Sequence, residues 1–205
     1  MNVKALVFDF GNVVGFFSHR RASERLAAHT SLGVDAVHRF LFGGQLEEDY
    51  DSGRLTTAEF LRQVREGCQL SCSDAVIAEA YADIFWPNLD VCALLPILAK
   101  RQPLLLLSNT NDLHARQFLA QFAAFLRPFA HRVLSHEVGV RKPAAEIFAH
   151  ARRLAGCAPE EIVFIDDMAD NVAGALDCGW QGIVYTNVDS LRRDLAALNV
   201  MEAAA

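Results

Sequence analysis

Long apolar runs are missing from this 205-residue sequence. The longest candidate, Val91 to Ala99, is interrupted by Pro96 and falls well short of the roughly 20 apolar residues of a membrane-spanning helix. Near the N-terminus the run Ala5-Leu6-Val7-Phe8 stops at Asp9, too soon for the core of a secretory signal. Basic residues are in deficit: 19 Lys and Arg face 25 Asp and Glu, a formal net charge of -6. That balance argues against wrapping nucleic acid, which takes a cationic surplus to neutralise phosphates, and against a polybasic membrane anchor. Cysteines are few and odd in number (68, 72, 92, 157 and 178), with no pair at zinc-finger spacing beside matching histidines. Reduced, packed thiols in a cytoplasmic protein are the expectation. With 12 Gly and 6 Pro, collagen-like and low-complexity readings fail as well.

What the sequence does hold is 52% hydrophobic residues against 21% charged, enough to fill a core and exclude intrinsic disorder. A β-leaning apolar run from Lys4 to Phe8 ends abruptly in Asp9-Phe10-Gly11-Asn12. Four more runs follow late in the chain, each ending in polar residues. They are Leu104 to Leu107 before Ser108-Asn109, Arg132 to Leu134 before Ser135-His136, Ile162 to Ile165 before Asp166-Asp167, and Gly182 to Tyr185 before Thr186-Asn187. Continuous apolar strands separated by helical segments predict an α/β fold, a doubly wound parallel sheet covered on both faces. Helices between them are expected over 112–126, 144–155, 171–178 and 190–198.

Residues 15–95, between the first two strands, show no strand signal and read as helices over 19–29, 34–42, 57–68 and 73–85. Thr56 and Glu59 are spaced as a capping box. An insertion of this length is too long for a loop. The expected organisation is a Rossmann-like core from residues 1–14 and 96–205 with an inserted α-helical unit over 15–95. A helix over 90–100 returns the chain to the sheet, and the Ala203-Ala204-Ala205 tail is expected to fray. Glu47, Glu48, Asp49 and Asp51 read as a solvated turn between inserted helices, and Trp86 as packing at the hinge. His29, His38, His114, His131, His136 and His150 show no metal-ligand spacing and read as surface or partly buried groups.

Open parallel sheets bind ligands beyond the carboxyl ends of their strands. Those ends carry Asp9, Gly11, Ser108, Asn109, Asp166 and Asp167, and Lys142 follows the third strand in Gly139-Val140-Arg141-Lys142-Pro143. Carboxylates clustered without His or Cys favour Mg²⁺ over zinc. A lysine and a hydroxyl beside them suit a phosphoryl dianion. Adjacent Asp166 and Asp167 repel each other unless a cation is present.

In order, Asp9-Phe10-Gly11-Asn12-Val13, Ser108-Asn109, Arg141-Lys142-Pro143 and Asp166-Asp167 resemble the four motifs of the haloacid dehalogenase (HAD) superfamily. The helical insertion after the first motif resembles the cap of the family's first subclass. The form Asp-x-Gly-Asn-Val, with Ser-Asn-Thr-Asn and Arg-Lys-Pro, is most similar to a branch that includes a bacterial glucose-1-phosphate phosphatase. The resemblance implies a Mg²⁺-dependent phosphatase acting on a small phosphorylated metabolite such as a sugar phosphate, with no nucleic-acid or membrane partner. It implies Asp9 as the nucleophile of an aspartyl-phosphate mechanism. Mg²⁺ would be held by Asp9, the Gly11 carbonyl and Asp167, with Asp166 acting through water or from behind them. Ser108 and the Asn109 N–H would bind phosphoryl oxygens, and Lys142 would neutralise the nucleophile and the phosphoryl group. Asp170 would orient its loop or cap the helix near Asn171. His19 and Arg21, opening the first inserted helix, are candidate substrate contacts.

One departure stands out. Phosphatases of the family usually carry a second Asp, a general acid–base, where this chain has Gly11. General acid–base catalysis is worth about 10²–10⁴-fold. Three consequences are open. The substrate has a good leaving group, as a sugar-1-phosphate does, which is the favoured expectation. Another residue replaces the Asp, with His19 nearest in sequence. Or the protein turns over poorly and chiefly binds a phosphorylated ligand. A 2-haloacid dehalogenase reading is the alternative chemistry, but dehalogenases of this fold carry Tyr at the Gly11 position and need no metal, so Asp166-Asp167 argues against it.

Overall fold

The apolar run after Lys4 forms a strand, Ala5–Phe8, in which every side chain is buried. The structure, a computed structural model, describes residues 2–202, so the alanine tail lies outside the described residues. In chain order its elements are β1 (Ala5–Phe8), β2 (Gly15–Phe17), α1 (His19–Ala27), α2 (Val34–Leu41), α3 (Gln45–Asp51), α4 (Thr57–Gly67), α5 (Asp74–Ala82), β3 (Phe85–Pro87) and α6 (Leu89–Leu98). These are followed by β4 (Leu104–Ser108), α7 (Asp112–Gln121), β5 (Phe129–Leu134), α8 (Ser135–Val138), α9 (Ala145–Ala155), β6 (Ile162–Asp166), α10 (Ala169–Asp177), β7 (Gln181–Val184) and α11 (Val188–Ala197).

Five strands form one parallel sheet in the order β5-β4-β1-β6-β7. Side chains alternate across it, and both faces are covered. Leu6, Phe8, Leu104, Leu106, Val163 and Ile165 face a core that takes in Leu95 of α6, Phe118 of α7 and Leu191 of α11. Ala5, Val7, Leu105, Leu107, Ile162 and Phe164 pack with Ile147 and Phe148 of α9, Val172 of α10 and Trp180. Burial on both sides explains why the central strands β1, β4 and β6 read as apolar runs instead of alternating ones, while edge strand β5 exposes Ala130, His131 and Arg132. No helix among the described residues is long and apolar enough to cross a membrane.

Helices α1 to α5 fill the segment between β1 and β4. The capping box on α4 is present: Thr56 Oγ1 accepts from the Glu59 N–H at 3.2 Å, and Glu59 Oε2 accepts from the Thr56 N–H at 2.9 Å. Two features depart from expectation. Short strands β2 and β3, unseen in the sequence, pair antiparallel where the chain leaves and re-enters the sheet, with Phe16 opposite Trp86 and Phe17 opposite Phe85. At three residues each they are too short to show any periodicity. The acidic stretch expected to be a solvated turn is helix α3, and its Tyr50 and Asp51 are buried.

Candidate active site

Sequence-distant polar groups meet at the carboxyl edge of the sheet because β1, β4 and β6 are neighbours that end together. Asp9 follows β1, Ser108 closes β4, and Asp166 closes β6. The Asp9 N–H continues the β ladder by donating to the Ile165 carbonyl at 2.8 Å. Beyond β1 the chain turns tightly: the Val14 and Gly15 N–H groups both donate to the Phe10 carbonyl, at 2.9 Å each. A Cβ on Gly15 would lie 2.7 Å from the Phe10 ring, so the turn leaves no room for a larger residue there.

Lys142 is the hub. Its Nζ donates to Asp9 Oδ1 at 2.6 Å and to Asp166 Oδ2 at 2.7 Å, with its side chain almost wholly buried. Burial pulls the ammonium's pKa down, but Asp9 and Asp166 more than offset it and the net shift is upward. Burial pushes the Asp9 carboxyl up, Lys142 opposes, and Asp166 and Asp167 push it further. Asn109 fixes the backbone of Lys142: its Oδ1 accepts from the Lys142 N–H at 2.8 Å and its Nδ2 donates to the Lys142 carbonyl at 3.0 Å.

The carboxylate oxygens of Asp9, Asp166 and Asp167 lie within 4.8 Å of one another. Three carboxylates against one ammonium leave an excess of negative charge. Asp166 is saturated: Oδ1 accepts from the Met168 N–H at 2.8 Å, and Asn171 Nδ2 reaches both oxygens at 3.1 Å. It is wholly buried and does not line the cavity. Asp167 is half-buried and holds one such bond, from Asn12 Nδ2 to Oδ2 at 3.0 Å. Burial raises its carboxyl, Asn12 opposes, and Asp166 adds to the rise. The three carboxylates fit a hard divalent cation such as Mg²⁺, with Asp9 and Asp167 on the cavity and Asp166 behind them.

The cavity has a volume of about 270 Å³, near the lower end of the roughly 300–1,000 Å³ typical of small-molecule sites. The core contributes Asp9, Gly11, Ser108, Asn109, Arg141, Lys142 and Asp167, and the inserted segment contributes Phe17, His19, Glu47 and Asp51. His19 is thus on the cavity wall, its ring stacked on Phe42 at 3.9 Å. Arg21 is not; it is exposed, with its guanidinium 5.9 Å above the Trp86 ring. Asp170 is exposed in the first turn of α10, whose cap position is Met168.

Several site residues carried no sequence signal. Asp51 accepts from Asn111 Nδ2 at 2.9 Å and lies 3.4 Å from Arg141 Nη2. His114, expected at the surface or partly buried, is buried on the cavity wall. Its Nε2 lies 3.1 Å from the Tyr81 carbonyl, an acceptor only, so Nε2 carries the proton and Nδ1 accepts from Asn111 Nδ2 at 3.1 Å. Asn12 and Asn171 position Asp167 and Asp166; the one hint was an Asn inside the first motif.

A family model described as haloacid dehalogenase-like hydrolase matches residues 3–179. The chain belongs to the haloacid dehalogenase-like hydrolases. Among HAD relatives, it is 26% identical over 96% of its length to D-ribitol-5-phosphate phosphatase of Bacteroides thetaiotaomicron, covering 98% of that protein. A HAD family enzyme from the same organism, solved with magnesium and inorganic phosphate, superposes with a TM-score of 0.79 at 26% identity over 90% of this chain and 95% of that one. A predicted HAD-like hydrolase from Porphyromonas gingivalis gives 0.81 at 25% identity, over 95% and 98%.

Proposed function

We propose that this hydrolase is a Mg²⁺-dependent phosphomonoesterase acting on a small sugar or polyol phosphate through an aspartyl-phosphate on Asp9. The observation that carries the reading is the convergence of Asp9, Lys142 and Ser108 on one cavity, with Lys142 bonded to Asp9 at 2.6 Å. Lys142 holds Asp9 Oδ1, which orients the carboxylate and leaves Oδ2 for attack on phosphorus. Its charge also offsets the repulsion between nucleophile and phosphoryl oxygens. Ser108 Oγ and the Asn109 N–H would bind those oxygens, and Asn109 keeps Lys142 in register. Asp9, Asp167 and the Gly11 carbonyl would hold Mg²⁺, which when bound screens the phosphoryl charge. A cavity of about 270 Å³ suits a small metabolite. Similarity to a polyol phosphate phosphatase across nearly the whole chain supports a polyol or sugar ester; a sugar-1-phosphate stays within that class. His19 sits where it would meet the non-phosphate part of the substrate. Arg21, over Trp86, would contribute only if the inserted helices moved.

The test is phosphate release from sugar-1-phosphates, sugar-6-phosphates, polyol phosphates, nucleotides and an aryl phosphate, with and without Mg²⁺, by wild type and Asp9→Asn. Turnover that needs both Mg²⁺ and Asp9 is expected. Halide release without Mg²⁺ would instead establish dehalogenase chemistry, and phosphate binding without turnover would establish a ligand-binding role.

A further inference from the structure

In an in-line displacement the leaving oxygen departs on the side opposite the attacking one. With Asp9 on the sheet edge, that side is the wall made by the inserted helices. An alkyl leaving group needs a proton there. The core groups are all engaged: Asp9 attacks, Lys142 is held between Asp9 and Asp166, Arg141 lies against Asp51, and both ring nitrogens of His114 are bonded, to Tyr81 and Asn111. Asp166 is saturated and outside the cavity, and Asp167 belongs to the proposed cation site. Gly11 has no side chain, and the Phe17 ring stands 2.9 Å from where its Cβ would be.

The inserted segment places three titratable side chains on the cavity: His19, Glu47 and Asp51. Asp51 is taken up as a clamp. Asn111 donates to its Oδ1, Arg141 lies beside its Oδ2, and its backbone carbonyl accepts from Ser135 Oγ at 2.6 Å. Burial holds His19 neutral, with its pKa lowered to about 4, and Nε2 lies 3.9 Å from Glu47 Oε1. Glu47 is different. Its Oε2 accepts from the Gly43 N–H at 2.7 Å, which orients the group, while Oε1 has His19 only at that longer distance.

From this arrangement we infer that Glu47 is the general acid–base of the reaction. As the Asp9–phosphorus bond forms and the phosphorus–oxygen ester bond breaks, the Glu47 carboxyl gives its proton to the leaving oxygen. The resulting carboxylate then takes a proton from the water that attacks phosphorus and breaks the Asp9–phosphorus bond, which restores both residues. The inference rests on the phosphatase reading above. Burial raises the Glu47 carboxyl, against the Gly43 N–H, Arg141 and His38, with Glu48 adding to the rise. His19 and Asp51 are the other titratable groups on that wall. A raised carboxyl keeps its proton closer to neutral pH, as a general acid requires.

Glu47→Gln keeps the side-chain volume and an acceptor for Gly43 while removing the transferable proton. The comparison is kcat/KM for a polyol phosphate against 4-nitrophenyl phosphate, with pH profiles and thermal melts. The ratio kcat/KM reports the first, phosphorylating step for both. The expected result is a loss of about 10²-fold on the polyol phosphate, little loss on the aryl ester, and disappearance of the alkaline limb of the polyol profile. A burst of nitrophenolate should also appear, because hydrolysis of the intermediate slows. Equal losses on both substrates, or no loss on either, with an unchanged melt would overturn the assignment. Should the glutamine variant fail to fold, Glu47→Asp is read by the same ratio. A wild type that releases phosphate from no ester would instead overturn the phosphatase reading itself.

Discussion

His114 shows how strongly one position is shaped by its surroundings. Its imidazole is buried, stacks on Tyr81 at 4.3 Å, and uses both nitrogens within the protein. Burial, with His19 adding, lowers its pKa to about 3. Below the ordinary imidazole pKa the unfolded chain binds a proton that the folded chain refuses, so stability falls as pH drops from about 6.5 toward 3. Between about pH 7 and pH 5 this one group should cost roughly 2 kcal/mol. Urea unfolding of wild type and His114→Gln at both pH values checks it: the wild type should lose about that much more than the variant. Equal losses would show that the ring is protonated in the folded state.

Helix α3 is the element on which the cavity's outer wall depends. It carries Glu47 and Asp51, and it is followed by Gly53, whose φ is +67. A Cβ there would lie 2.3 Å from the His136 carbonyl oxygen at the start of α8. This close backbone approach sets the distance between inserted helix and core. Gly53→Ala combines a left-handed conformation with a backbone clash and should cost more than about 1 kcal/mol of stability. Because α3 would be pushed from α8, kcat/KM should fall as well. Urea unfolding and the phosphatase assay together measure this. An alanine variant with wild-type stability would mean that α3 shifts freely against the core.

For the molecule as a whole, the cavity is lined from both the sheet edge and the inserted helices. The aromatic series His19, Phe42, Tyr81 and His114 runs from α1 through the inserted helices to α7, with neighbouring rings stacked at 3.9, 5.7 and 4.3 Å. At the sheet edge the reverse holds: clustered carboxylates carry a repulsion that Lys142 only partly offsets. A cation that binds the folded form alone stabilises it by about 2.7 kcal/mol at 100 times its Kd. Mg²⁺ should therefore raise the melting temperature, chelation should reverse the rise, and Asp167→Asn should remove most of it. A melt insensitive to Mg²⁺ would count against the proposed cation site.

The three central strands were legible because strands covered on both faces are made of unbroken apolar runs, as Ala5–Phe8 and Leu104–Leu107 are. Asp9, Ser108 and Asp166 were legible as site candidates because parallel strands deliver their following residues to one edge. The sequence therefore determined the fold class and the floor of the site. The two short strands escaped notice for want of length. Helix α3 was hidden because Asp51 looks solvated until Asn111 and Arg141, both far along the chain, are placed around it. The surroundings of Glu47, Asp51 and His114 were decided only by the packing of the inserted helices on the core. Desolvation and hydrogen-bond partners give such groups their chemistry, and both arise from contacts between residues that the linear sequence keeps apart.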